Sequence, residues 1–165
     1  MDDRRRRFEA QALQHLDAAY NLARWLSRSP ADADDIVQDA MLRAFRAFDG
    51  FRGGDAKAWI LTIVRNCWRS AGTARKRRGH TSLEDEQLVS DDDPEGTAIQ
   101  AGTRRRLDVL VAQLPEEFRE VLILREMEDM SYREIAEITG TPIGTVMSRL
   151  ARARAILRET AKDCL

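Results

Sequence analysis

Two sets of residues in this chain have the types and spacing to bind nucleic acid. The first is Thr62, Arg65, Asn66 and Arg69, which share an arc of about 100° on a helix and lead into Arg75, Lys76, Arg77 and Arg78. Each Lys or Arg that neutralises a phosphate releases condensed counterions, and an Asn amide can read a base edge. Phe51 and Trp59 offer aromatic surface for stacking a base. Trp59 also falls on the apolar arc with Ile60, Ile63, Val64 and Cys67, where packing is its plainer use. The second set is Gly144, Thr145, Ser148, Ala151 and Arg152, opposite an apolar arc of Ile143, Val146, Leu150, Ala153 and Leu157 that is expected to pack inward. Small residues there let the backbone approach base edges, and Arg152 suits a guanine or a phosphate. Arg149 and Arg154 flank this face, where phosphate contacts belong. Arg158, later on the same helix, reads as a solvated or phosphate-facing charge.

Other chemistry is poorly provided for. There is no nucleotide-binding glycine motif, and the two histidines, His15 and His80, are not placed to complete a catalytic or zinc site. Neither a metal nor another cofactor is expected. Cys67 and Cys164 do not make a disulfide framework. Cys67 reads as a small packed side chain, and Cys164 as either an inert residue or an exposed redox-sensitive thiol. No apolar run approaches the ~20 residues of a membrane-spanning helix, and the basic run Arg4 to Arg7 precedes no apolar core of a secretory signal. The expectation is a soluble, cytoplasmic protein without membrane insertion.

The elements that must position these residues are helices. Apolar residues recur at three and four from Arg4 to about Ser27, which predicts one helix. Ser29-Pro30 opens a second helix that runs to about Phe48, with Asp32, Asp34 and Asp35 in its first turns. A third spans about Asp55 to Thr73, after the loop Phe51-Arg52-Gly53-Gly54. Leu114-Pro115 opens a helix through Glu128. Ser131 and Glu134 form a capping box for the next, and Thr139-Gly140-Thr141-Pro142 turns into the last, Pro142 to about Ala161. Two short helices, a Gly-containing turn and an Arg-rich second helix are the sequence form of a helix-turn-helix.

Charge divides the 165 residues into three. Residues 1–79 carry a net charge of +6, residues 80–102 a net of −7 with no Lys or Arg, and residues 103–165 a net of zero. The overall net charge of −1 conceals this. Polar composition, Pro94 and Gly96 make 80–102 an expected linker between two helical domains, 1–79 and 103–165, in an all-α chain.

At this point the chain resembles the extracytoplasmic-function group of bacterial RNA polymerase sigma factors. Ala33-Asp34-Asp35-Ile36-Val37-Gln38-Asp39-Ala40-Met41-Leu42-Arg43-Ala44-Phe45 looks like the region 2 helix that docks on core polymerase. The resemblance implies docking roles for Asp35, Gln38, Asp39 and Arg43, and i, i+3, i+4 spacing puts the first three on one face. Ala58-Trp59-Ile60-Leu61-Thr62-Ile63-Val64-Arg65-Asn66 resembles the helix for the −10 element, and Phe51 to Lys57 the loop beside it. That loop is then expected to capture a base flipped from the melted strand, at a cost of a few kcal/mol that the protein must offset. Ser131 to Arg154 resembles the region 4 helix-turn-helix for the double-stranded −35 element; Met147 stands where many relatives carry Arg or Lys.

The implied function is to bind core RNA polymerase, direct it to promoter DNA and help melt it, acting as a monomer under control of an anti-sigma factor. The polymerase keeps the catalysis. The acidic strip, with Asp91, Asp92 and Asp93, is expected either to thread the polymerase's nucleic-acid channel or to serve as a tether. The alternative is a stand-alone helix-turn-helix regulator, which accounts for 131–160 but not for the first block, and which would ordinarily dimerise to match two half-sites.

Overall fold

The computed structural model describes residues 3–78 and 98–163, with side chains described for 3–73 and 98–163. Eight α-helices make up nearly all of it: α1 (Asp3–Ala12), α2 (Leu16–Ser27), α3 (Pro30–Ala47), α4 (Ala56–Arg78), α5 (Ala98–Ala112), α6 (Glu116–Glu126), α7 (Tyr132–Thr139) and α8 (Ile143–Asp163). There is no strand among the described residues.

The helices α2, α3 and α4 pack on one another through Leu22, Leu26, Ile36, Ala40, Ile60, Leu61 and Val64, all buried. α1 closes one end of this cluster with Phe8, whose ring meets Phe45 and Phe48 edge-on at centroid distances of 5.2 and 5.5 Å. The single helix expected over Arg4–Ser27 is instead broken by a 3-10 turn at Leu13–His15. The apolar repeat runs through the break in phase: Ala12 and Ala19, two turns apart, are both buried. Spacing alone therefore carries no trace of it. Ser29 caps α3, its hydroxyl accepting from the Asp32 amide, and Pro30 sits where a missing N–H costs nothing.

α6 is the axis of the second unit. Arg119, Glu120, Val121, Leu122, Ile123 and Leu124 are all buried, so the helix is covered on every side. α8 and α7 pack on it through Leu150, Val146, Ile135 and Ile138. Arg119 donates to the carbonyls of Ala112 (3.1 Å) and Leu114 (3.0 Å), occupying acceptors left open at the end of α5. Burial lowers the pKa of this guanidinium.

α5 corrects the expected linker. Residues 98–102 are its first turn and not loop, since Ala98, Gln100 and Ala101 favour helix and Gly102 costs it only about 1 kcal/mol. Residues 80–97, the rest of that strip, lie outside the described residues, as do Gly79 and Cys164. α4 also runs beyond the expected Thr73 to Arg78, which places the backbone of Arg75, Lys76, Arg77 and Arg78 in a continuous helix.

The capping box is present as the sequence indicates. The Ser131 hydroxyl accepts from the Glu134 amide at 3.1 Å and the Glu134 carboxylate accepts from the Ser131 amide at 3.0 Å. Gly140, at φ 65°, ends α7 in the left-handed conformation that allows the sharp turn into α8. Ser131→Ala removes one of the two cap bonds and is expected to cost about 1 kcal/mol, read as a lower urea midpoint with unchanged slope.

Candidate nucleic-acid interface

The outer face of α3 presents Asp35, Gln38 and Asp39, all exposed, with Leu42 beside them at 56% exposure. Arg43 joins the same face and pairs with Asp39 at 3.1 Å, one turn away. Beneath it, burial pushes the Cys67 thiol up to about 11, so it stays protonated and unreactive.

The aromatic pair expected near the α3–α4 loop is assembled. Phe51 and Trp59 stack at a centroid distance of 4.7 Å, both half-buried, and Phe51 continues the stack to Phe48 at 6.3 Å. Trp59 is thus packed against Phe51 and the core yet only half-buried. Gly53 and Gly54 take φ values of 86° and 92°, conformations that side chains rarely adopt, and they shape the loop between. Arg7, Gln11, Phe48, Asp49, Phe51 and Gly53 enclose a hollow of about 200 Å³. Arg7 and Gln11 come from α1, which the sequence reading left out of the interface; nothing in their local spacing marks them.

On α4, Asn66 and Arg69 are exposed, and Thr62 is half-buried with its hydroxyl donating to the Ala58 carbonyl at 2.8 Å. Arg65 departs from the expected open stripe. It is only 9% exposed and pairs with Glu120 of α6, itself 4% exposed. Burial drives the Glu120 carboxyl upward in pKa, opposed by the hydrogen bond and charge of Arg65. Next to it, the Trp68 indole donates to Glu116 at 2.9 Å. Nothing local in the sequence around Arg65 foretells this contact. The one clue is Glu120 itself, an acid opening the apolar run Val121–Leu124.

α8 turns Gly144, Ser148, Ala151 and Arg152 outward, with Thr145 half-buried at the edge. Val146, Leu150 and Ala153 pack inward and Leu157 is half-buried, but Ile143 is 45% exposed, against expectation. It opens the first turn of α8, directly after Pro142. Arg149 and Arg154 flank the outward face, but each faces an acid of α6: Arg149 lies 3.6 Å from Glu117, and Arg154 lies 2.6 Å from Glu126. Partly exposed pairs of this kind are worth little and are readily exchanged for a phosphate. Met147 is exposed beside them.

Residues 12–78 match the family of sigma-70 region 2, and residues 104–157 that of sigma-70 region 4. The chain is 34% identical over 147 residues to the ECF RNA polymerase sigma-E factor of Haemophilus influenzae, covering 82% of this chain and 77% of that protein. It is 36% identical over 134 residues to the sigma-E factor of Escherichia coli K12, covering 74% and 70%. The chain belongs to the ECF sigma factors.

Membership in this family makes it a transcription initiation factor and not an enzyme. Another relative, the sigma factor SigE of Mycolicibacterium smegmatis, is 35% identical over 88% of this chain, which spans 58% of that protein's length. Among solved structures, the sigma factor RpoE of Bartonella quintana, in complex with the anti-sigma factor NepR, superposes with a TM-score of 0.81 at 30% identity, over 94% of this chain and 96% of that one. CnrH, in complex with the cytosolic domain of CnrY, superposes at 0.68 with 26% identity, over 96% of this chain and 90% of that one. No helix among the described residues is long and apolar enough to cross a membrane.

Proposed function

We propose that this sigma factor binds core RNA polymerase through α3, reads a melted −10 element with α4 and its preceding loop, and reads a double-stranded −35 element with α8. The observation that carries the reading is that three polar surfaces of the right kind coexist in one chain. They are the Asp35–Gln38–Asp39–Arg43 face, the Phe51–Trp59 stack with Asn66 and Arg69, and the Thr145–Ser148–Arg152 face. A lone helix-turn-helix regulator has no use for the first two.

The domain division follows the same assignment, with 1–79 serving polymerase and −10 contacts and 103–165 serving the −35 contacts. The hollow beside Phe51 has room for one flipped base, with Arg7 and Gln11 as its hydrogen-bonding groups. Arg75, Lys76, Arg77 and Arg78 extend α4 towards phosphates, and Arg149 and Arg154 hold the −35 backbone. Promoter elements about one and a half duplex turns apart are separated by ~50 Å, and residues 79–97 span at most ~65 Å when fully extended, so the chain can bridge them. The likeness to a sigma factor solved with its anti-sigma factor supports control of this chain by a partner of that kind. The site of action is the cytoplasm, where the polymerase is.

Gel filtration of the purified protein mixed with bacterial core polymerase tests the reading. Co-elution with core as one copy per polymerase is expected. A chain that elutes apart from core, as a dimer that binds duplex DNA by itself, would favour the stand-alone regulator.

A further inference from the structure

α8 leaves an apolar ridge uncovered on the face proposed for duplex DNA. Ile143, Met147 and Ala151 stand four residues apart, within an arc of about 80°, and all three are exposed, Ile143 at 45% and Met147 at 52%. The core-facing arc of the helix is a separate one, held by Val146, Leu150 and Ala153. Gly144 borders the ridge in its first turn, where a Cβ would meet no atom within 4 Å, so the surface beside it is open. Arg154, two turns beyond Met147, is held at 2.6 Å by Glu126 of α6. Thr145, Arg149 and Arg152 lie on the far side of Ser148 from the ridge. The outward face is thus divided lengthwise into an apolar half and a polar half.

The first turns of a recognition helix are the part that meets base edges in the major groove. The apolar group that bases present there is the C5 methyl of thymine. Ser148, beside the ridge, donates its hydroxyl proton to the Thr145 carbonyl at 3.0 Å, so towards a base it offers lone pairs and accepts. Adenine presents an N6 amine to such an acceptor, and its partner thymine presents a methyl to the ridge. A G·C pair has an amine on cytosine but no methyl, and leaves the ridge against polar edges. The unbranched thioether of Met147 adapts its shape to a small apolar target. An arginine at that place would reach instead for guanine O6 and N7.

We propose that Met147, with Ile143 beside it, contacts thymine methyl groups in the −35 element and is a specificity-determining residue for an A·T pair there. The proposal rests on the assignment of α8 to the −35 element made above. Duplex DNA is the occupant because the ridge is continuous with the reading face: it shares its turns with Thr145, Ser148 and Arg152, and base edges that meet those groups lie over it.

The test uses polymerase holoenzyme assembled with the full chain. Promoter duplexes randomised at −35 are selected for binding, and each thymine of the preferred element is then replaced by deoxyuridine, which removes only the methyl. Wild type is expected to lose about fourfold in affinity at one or more thymines, as for one methyl group left in water. Met147→Ala, at an exposed position outside the packed core, is expected to lose that sensitivity at one thymine and to keep its preferences elsewhere. Met147→Arg is expected to select a G·C pair at the same place by about tenfold. Equal wild-type affinity for thymine and deoxyuridine duplexes would overturn the proposal and leave the −35 reading standing. So would a deoxyuridine loss that persists in Met147→Ala, or a Met147→Arg variant that still selects thymine there. A Met147→Ala variant whose one defect is weaker binding to core would also overturn it and give the ridge to a protein partner. No sequence selected by wild type would overturn the −35 reading, and the proposal with it.

Discussion

Alanine at Asp35, Gln38 and Asp39 together is expected to weaken binding to core RNA polymerase by about 100-fold or more, since truncating polar groups at an interface centre costs ~1 kcal/mol or more each. The structure makes this a clean experiment. All three side chains are exposed on α3, none contributes to the packed core, and alanine is the better helix former at each position. Arg43 loses the Asp39 carboxylate, but an exposed pair one turn apart contributes only about 0.3–0.5 kcal/mol. The urea midpoint should therefore hold or rise while affinity for core, measured by anisotropy titration of labelled protein, collapses. Unchanged affinity would show that the polymerase docks elsewhere.

Arg152→Ala is expected to relax preference at the −35 element by about 1–3 kcal/mol, as for one lost base contact. Arg152 is the arginine of α8 that is exposed on the outward face beside Ser148 and Ala151, whereas Arg149 and Arg154 each lie against an acid of α6. Substituting either of those two should weaken all promoters alike and leave discrimination intact. Competition of matched and base-substituted −35 duplexes for the polymerase-bound protein separates the two behaviours. Equal discrimination by the Arg152 variant and wild type would move the reading role to another residue of α8, with Ser148 next in line.

What the sequence reveals here is what short-range interactions decide. The α7 cap needs only Ser131 and Glu134 three residues apart, and the turn into α8 needs only a glycine that tolerates φ 65° at position 140. Both are readable without a structure, and with the apolar arc of α8 they define the helix-turn-helix. The break at Leu13–His15 is not readable, because the residues that face the core stay in phase across it. The first turn of α5 was masked by composition: Thr97 to Gly102 follows an acidic polar strip and shares its small residues.

The largest gap lies at Arg65. Helical spacing places it correctly beside Thr62, Asn66 and Arg69 but says nothing of what covers it. Its partner lies 55 residues away, and an ion pair across that separation leaves no periodic signature. Lys57 and Glu128, 71 residues apart, are hidden for the same reason. Arg7 and Gln11 beside Phe51 are a third instance, brought to the loop by the packing of Phe8 against Phe45 and Phe48. Sequence pattern thus identifies the faces, and tertiary packing decides which of them are open.

This sigma factor is proposed to give core polymerase its promoters. Run-off transcription on fragmented genomic DNA, with purified core polymerase in the presence and absence of the protein, tests it most directly. New transcripts are expected that appear only with the protein and start downstream of a shared pair of −35 and −10 motifs. Identical transcript profiles with and without the protein, despite its stable binding to core, would contradict it.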